Sequence, residues 1–414
     1  MTSPTTLEAL PDAARALAAR LGLHPAAPVE FDAARALAGQ PEQLVRDLLD
    51  ILTDTGHLHR DPHGNEWRGA DPALLAWAAT RLAPEERTAA EVRLAAYYVS
   101  AAARASRALN PWGARWAPAF ESPPVAGVGP DTYDAALDWM RAHLPTLTAI
   151  ARQAYARGDD TLGWQFADLT KQASATLKLH EPTADLLEAA MRSALRLGAP
   201  EPLATVHLLT ANACIRTDRV QLGRGHLEEA LPLWRQAGDR QGEATTLESL
   251  ATALLLTADL EQARTATDHS RLIHADLGAE RGCALLTRKL ADIDRAAGRY
   301  DHAIQGYTDA LTYFDRINDG YQALRCRAGL GRALLGRGDA GAAERTAERS
   351  RTAARLLGAT EEEADSRLLH ADIAEARHDT PATRRDLERA LALYEATGSP
   401  RRTEVQARLA RLPD

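Results

Sequence analysis

The sequence predicts an all-α protein: a right-handed α-solenoid of helix pairs, led by a small helical unit that closes on a ribbon. Three observations carry this. Gly158, Gly198, Gly238, Gly278, Gly358 and Gly398 share a spacing of 40 residues, with Asn318 filling the gap in the series. Each follows a helix-forming run, such as Leu195-Arg196-Leu197 or Arg355-Leu356-Leu357. Helices commonly end on a residue in the left-handed region, which glycine enters freely and asparagine tolerates. Second, the same period carries a small residue through Ala211, Ala251, Ala291, Gly331 and Ala371. Third, a buried-face stripe recurs as Leu227, Ala230, Leu231, Trp234, as Ala303, Tyr307, Ala310, Leu311, Phe314, and as Leu387, Ala390, Leu391, Tyr394. Small residues let paired helices approach while large ones fill between them.

At 414 residues the chain exceeds one ordinary core, as an array of repeats would. No apolar run approaches the roughly 18–20 residues of a membrane span, so no membrane partner is expected. Met1 to Leu10 lacks a basic segment leading an apolar one, so no secretion signal is expected. Cys214, Cys283 and Cys326 are isolated and suit small buried residues in a reducing cytoplasm. The net charge of −8 opposes general polyanion binding while leaving room for a local basic patch.

Residues 1–84 are expected to form one compact unit. Leu7 to Leu21 is amphipathic, with Gly22 and Pro25 beyond it; Phe31 to Ala38 gives a second helix and Pro41 to about Asp54 a third. His57-Leu58-His59-Arg60 and Asn65-Glu66-Trp67-Arg68 then flank the turn Asp61-Pro62-His63-Gly64. Three helices and a hairpin make a winged helix, a common DNA reader. The charges oppose that use. The third helix sets Glu42, Asp47, Asp50 and Asp54 against Arg46, and residues 1–84 hold eleven Asp/Glu and seven Arg. His57, His59 and His63 are expected to be exposed turn residues, not metal ligands.

Residues 85–130 form a linker: a helix from Arg87 to Leu109, then a stretch holding Pro111, Pro118, Pro123, Pro124 and Pro130 that cannot be regular helix. Trp112, Trp116 and Phe120 are expected to pack it onto neighbouring helices or anchor it in a groove. Residues 131–414 form the array. Residues 131–159 are expected to be a leading helix pair, and 160–199 a weaker copy with Lys171 in the small-residue place. Regular copies fill 200–399, and a closing helix over 401–412 turns its arginines to water.

These positions match the tetratricopeptide repeat (TPR) in a longer form. With the N-terminal unit, the chain resembles the actinobacterial regulators of the signal-transducing NTPase (STAND) class. The resemblance rests on Leu21-Gly22-Leu23-His24-Pro25, on Ala36-Leu37-Ala38-Gly39, and on Ala136-Leu137-Asp138-Trp139-Met140 with Thr146-Leu147. It implies a winged helix that packs on its own protein, followed by TPR pairs. The departures point away from nucleotide. No GxxxxGK[ST] loop occurs, no NTPase region is expected ahead of the winged helix, and Ala70 stands where the family carries a nucleotide-sensing histidine. Gly329, Gly331, Gly336 and Gly338 follow no strand and belong to the repeat register. No catalytic constellation can be assembled, so no enzyme, cofactor or metal is expected.

The resemblance also implies where a partner sits. In TPR arrays the first helix of each pair lines the concave face at places 2, 5, 9, 12 and 13; placing Ala211 and its equivalents at place 8 fixes those faces here. The first copy then offers Thr205, Leu208, Asn212 and Arg216, and the second Thr245, Glu248, Thr252 and Leu255. Arg288, Asp292 and Arg295 follow, then Arg325 and Arg332, then Asp365, Asp372 and Glu375. The middle is basic and the far end acidic. A protein or peptide partner of acidic character is expected there, held by exposed arginine forks, with Asn212 holding its main chain. Nucleic acid is not expected. The alternatives are a transcriptional regulator reading DNA with the winged helix, and an accessory subunit of a biosynthetic or modifying enzyme.

Overall fold

The computed structural model describes residues 4–62, 65–121, 128–399 and 401–413; His63, Gly64, Pro123 and Pro124 lie outside them. The chain divides into two compact units, Met1–Asp239 and Arg240–Asp414. All twenty α-helices among the described residues fall in these units, and none is long and apolar enough to cross a membrane.

The first unit opens with α1 (Pro4–Glu8), α2 (Asp12–Leu21), β1 (Val29–Glu30), α3 (Phe31–Ala38), α4 (Glu42–Asp54), β2 (Leu58–Arg60) and β3 (Glu66–Gly69). The helix expected from Leu7 to Leu21 is broken at Pro11, which caps α2 and has no N–H to continue a helix. The expected hairpin gains a third strand: the antiparallel order is β1-β3-β2, with Val29 opposite Trp67. Leu17, Leu37, Leu49, Leu52, Leu58 and Trp67 form its core. An unexpected helix, α5 (Pro72–Ala79), starts where Asp71 accepts from the N–H groups of Ala73 and Leu74.

The long helix α6 (Pro84–Leu109) holds this part to the rest of its unit. Its Arg93 donates to the carbonyls of Ala36 and Leu37 and lies over Gly39, where an added Cβ would meet its Nε at 2.7 Å. Then come α7 (Tyr133–Arg157), α8 (Asp160–Thr176), α9 (His180–Leu197), α10 (Pro200–Arg216) and α11 (Val220–Ala237). Where a leading pair was expected, α7 is one helix of 25 residues. Pro145 lies inside it without ending it, and no described residue from 133 to 157 takes the positive φ that reverses the chain elsewhere.

The second unit is a run of antiparallel pairs: α12 (Arg240–Leu256), α13 (Leu260–Asp276), α14 (Glu280–Ala296), α15 (Tyr300–Arg316), α16 (Gly320–Gly336), α17 (Ala340–Leu356), α18 (Thr360–Ala376), α19 (Thr380–Thr397) and α20 (Arg402–Leu409). Ala251, Ala291 and Ala371 are buried at the close approaches. At Gly331 in the same place, an added Cβ would meet Leu369 Cδ2 at 2.5 Å.

The glycine ladder is left-handed throughout, Asn318 included at φ 57°. A second ladder lies midway: Lys178, Asp218, Ala258, Gly298, Gly338 and His378 also have positive φ. The chain thus reverses at twenty-residue intervals. The residue after the reversal closes one helix and opens the next. Asp339 donates its N–H to the Leu334 carbonyl while its carboxylate accepts from Ala342 N–H at 2.9 Å. Asp159, Asp259, Asp319 and Asp379 cap in the same way.

Candidate functional site

In the second unit the first helices α14 and α16 bring the expected basic residues together. Arg288 is buried, not exposed as the register suggested, and its Nη1 lies 3.1 Å from Asp292 Oδ2. Place 5 turns inward here, so the guanidinium shares the interior with Asp292. That carboxylate also accepts from the Tyr307 hydroxyl at 2.5 Å, and Tyr307 lies over Gly329, where no Cβ would fit. Arg295 reaches the same hydroxyl. Beside them Lys289 is buried and donates to Thr252 Oγ1; burial lowers its pKa, with Glu248 acting against the shift.

Arg325 on α16 is exposed and makes no hydrogen bond or ion pair among the described residues. Its pKa is lowered first by the positive charge of Arg288 and second by desolvation. Arg332 lies 3.8 Å from Asp365. The acidic end is already paired within the unit by two of the closing arginines, while Arg402 and Arg411 are exposed. Arg401 pairs with Asp365, and Arg408 lies 2.8 Å from both Asp372 and Glu375. What remains open on these helices is Arg325, with Arg295 half-buried.

Asn212 and Arg216 belong to the first unit, Asn212 half-buried and Arg216 exposed; Thr205 and Leu208 are buried. Gln165, Asp168 and Gln172, not expected to be functional, are more telling there, together with Lys171. Gln165, Asp168, Lys171 and Gln172, at places 2, 5, 8 and 9 of the copy in α8, all bond to the segment between α6 and α7. Their register was the available signal, hidden by Lys171 in a small-residue place.

On α4, Arg46 is engaged with Glu42 at 2.8 Å and stacks on Phe31, while Asp50 lies 3.8 Å from Arg60, so its exposed face offers phosphate little. His57 is buried, a correction to the exposed-turn expectation. It lies under α4 against Thr55 Oγ1 at 3.0 Å, and burial lowers its pKa. Ala70 N–H donates to the His57 carbonyl. No group of three or more His, Cys, Asp or Glu among the described residues is arranged to hold a metal.

Two segments quoted for the resemblance meet at Tyr98 of α6. His24 Nε2 lies 2.8 Å from its hydroxyl, and the Trp139 ring lies 6.2 Å from its ring. Glu30 Oε1 lies 3.0 Å from His143 Nε2, and Tyr97 donates to Glu30. This seam ties the β1 edge and α2 to α6 and α7.

No protein-family model matches the chain. Over 306 residues, 62% of this chain, it is 28% identical to the regulatory protein AfsR of Streptomyces coelicolor, and it spans 30% of that protein's length. A solved Rap protein, complexed with competence and sporulation factor, is matched over 92% of this chain and 93% of its own, with a TM-score of 0.51 and 13% identity. At that identity the likeness is one of fold. A STAND protein with a tetratricopeptide repeat sensor from Pyrococcus horikoshii is matched over 97% of this chain and 65% of its own, with a TM-score of 0.47 and 14% identity.

Proposed function

We propose that the chain is a non-enzymatic regulatory adaptor of the cytoplasm, which binds a protein or peptide segment of acidic character on the first-helix face of its TPR pairs. Residues 1–84 act as a winged-helix-like unit that packs on its own chain instead of reading DNA, and 85–130 link it to the array from 131. The observation that carries the reading is the exposed Arg325, set beside the positive charge of Arg288 on the adjacent first helix of an acidic chain. Like charges are held together at a cost that an incoming carboxylate relieves. Similarity to a regulatory protein supports the regulatory role, and the Rap structure shows this kind of fold in complex with a factor. The acidic face of α4 supports a protein-facing role for the N-terminal unit.

The test is an anisotropy titration of a labelled glutamate-rich peptide, beside its glutamine counterpart, into the full chain. The glutamate peptide binds, and its affinity falls as salt rises. Arg325→Glu with Arg295→Glu weakens it tenfold or more. Equal affinity for both peptides, or binding indifferent to the double reversal, overturns the proposal.

A further inference from the structure

The segment Asn110–Glu121 crosses α8 in the first unit, and its main chain is held by groove-place side chains. Asp168 is fully buried and accepts from the N–H groups of Trp116 and Ala117, both at 2.8 Å, through one oxygen. Lys171 donates to the Ala114 carbonyl and to the other Asp168 oxygen, and lies 4.3 Å over the Trp116 ring. Gln165 accepts from Ala119 N–H at 3.0 Å, and Gln172 accepts from the Asn110 amide at 3.2 Å. The Trp116 indole rests on Trp234, ring centres 5.2 Å apart, and its Nε1 donates to Asp239 at 3.0 Å. Trp112, by contrast, is exposed.

A strap that merely covered apolar surface would not need a buried carboxylate aimed at two consecutive N–H groups. Lys171 satisfies one Asp168 oxygen, but the other, buried and left without donors, would be costly, so this place favours an occupant. Main-chain capture with one aromatic anchor is how a peptide ligand is recognised.

We infer that the inner face of α8 to α11 is a peptide-reading site whose resident occupant is the strap, and that an extended partner segment with an indole anchor takes its place. Two consecutive N–H groups are required, so neither the anchor nor the next residue of that partner is proline; the strap meets this with Pro118 one place later. Because the strap is tethered, its effective concentration is high, and a partner must compete against it. The site lies within the first unit and does not rest on the acidic-partner reading.

The test titrates a labelled synthetic peptide spanning Asn110–Glu121 into the full chain. A Trp116→Ala chain, its circular dichroism unchanged, binds the peptide at least tenfold more tightly than the parent, and the same peptide carrying Trp116→Ala does not bind. No binding to the folded variant, or equal binding to parent and variant, overturns the inference. A second measurement needs no variant. Hydrogen exchange of the parent shows Trp116 and Ala117 amides opening well before those of α8. Strap amides that exchange only with α8, in global unfolding, mark a permanent element and overturn the inference independently.

Discussion

Ala258 holds φ at 60° in a place where Gly298 and Gly338 carry no side chain. An L-residue there costs roughly 1–2 kcal/mol relative to the right-handed region, less in a short turn whose hydrogen bonds compensate. Ala258→Gly should therefore stabilise the chain by up to about 1 kcal/mol, part being offset by the freer unfolded state. Gly278→Val is the reverse experiment. A Cβ at Gly278 meets nothing within 4 Å, so any loss is conformational, and about 1 kcal/mol or more is expected. Asn318→Gly should be neutral or slightly stabilising. Chemical denaturation midpoints at constant slope read all of these, and a Gly278→Val midpoint equal to the parent's contradicts the left-handed assignment. The glycine ladder was legible because glycine advertises positive φ. Its partner ladder was not, because Lys178, Asp218, Ala258 and His378 advertise nothing; the aspartate one place later at Asp259, Asp339 and Asp379 was the unread signal.

At the scale of elements, burial separates neighbours that the register treated alike. Arg288 and Arg325 were both expected to be exposed forks, yet α14 buries the first beside Asp292 while α16 leaves the second exposed. Arg288→Glu sets a buried carboxylate beside the partly exposed Asp292, and a loss of about 3 kcal/mol is expected. Arg325→Glu should shift stability by no more than about 0.5 kcal/mol. Equal melting of the two variants contradicts this distinction. The seam at Tyr98 carries a pH prediction. His24 is held neutral, its pKa lowered to about 4, chiefly by burial. A group depressed on folding disfavours the folded state as pH falls below its ordinary value of 6.5, and the penalty levels off below about 4. His24→Gln should therefore flatten the fall in stability between those limits, by up to about 3 kcal/mol. Urea midpoints of parent and variant that stay parallel from neutral pH to about 4 would count against it. The resemblance segments were readable as short strings; that two of them converge on one tyrosine was not, since convergence depends on the course of α6.

Across the whole molecule, the helical-repeat architecture followed from periodicity, because each pair repeats the same packing problem. Function was less legible. A groove place names a direction, while occupancy depends on what the rest of the chain brings to it. The chain itself fills two such places: Arg401 and Arg408 occupy the acidic end of the second unit, and the strap occupies α8 in the first. The surface around Arg325 is the one proposed for a partner. Hydrogen exchange of the full chain with and without the glutamate-rich peptide tests that claim most directly. Protection confined to α14 and α16, and lost in Arg325→Glu with Arg295→Glu, is the result predicted. Protection elsewhere, or none on either helix at saturating peptide, contradicts it.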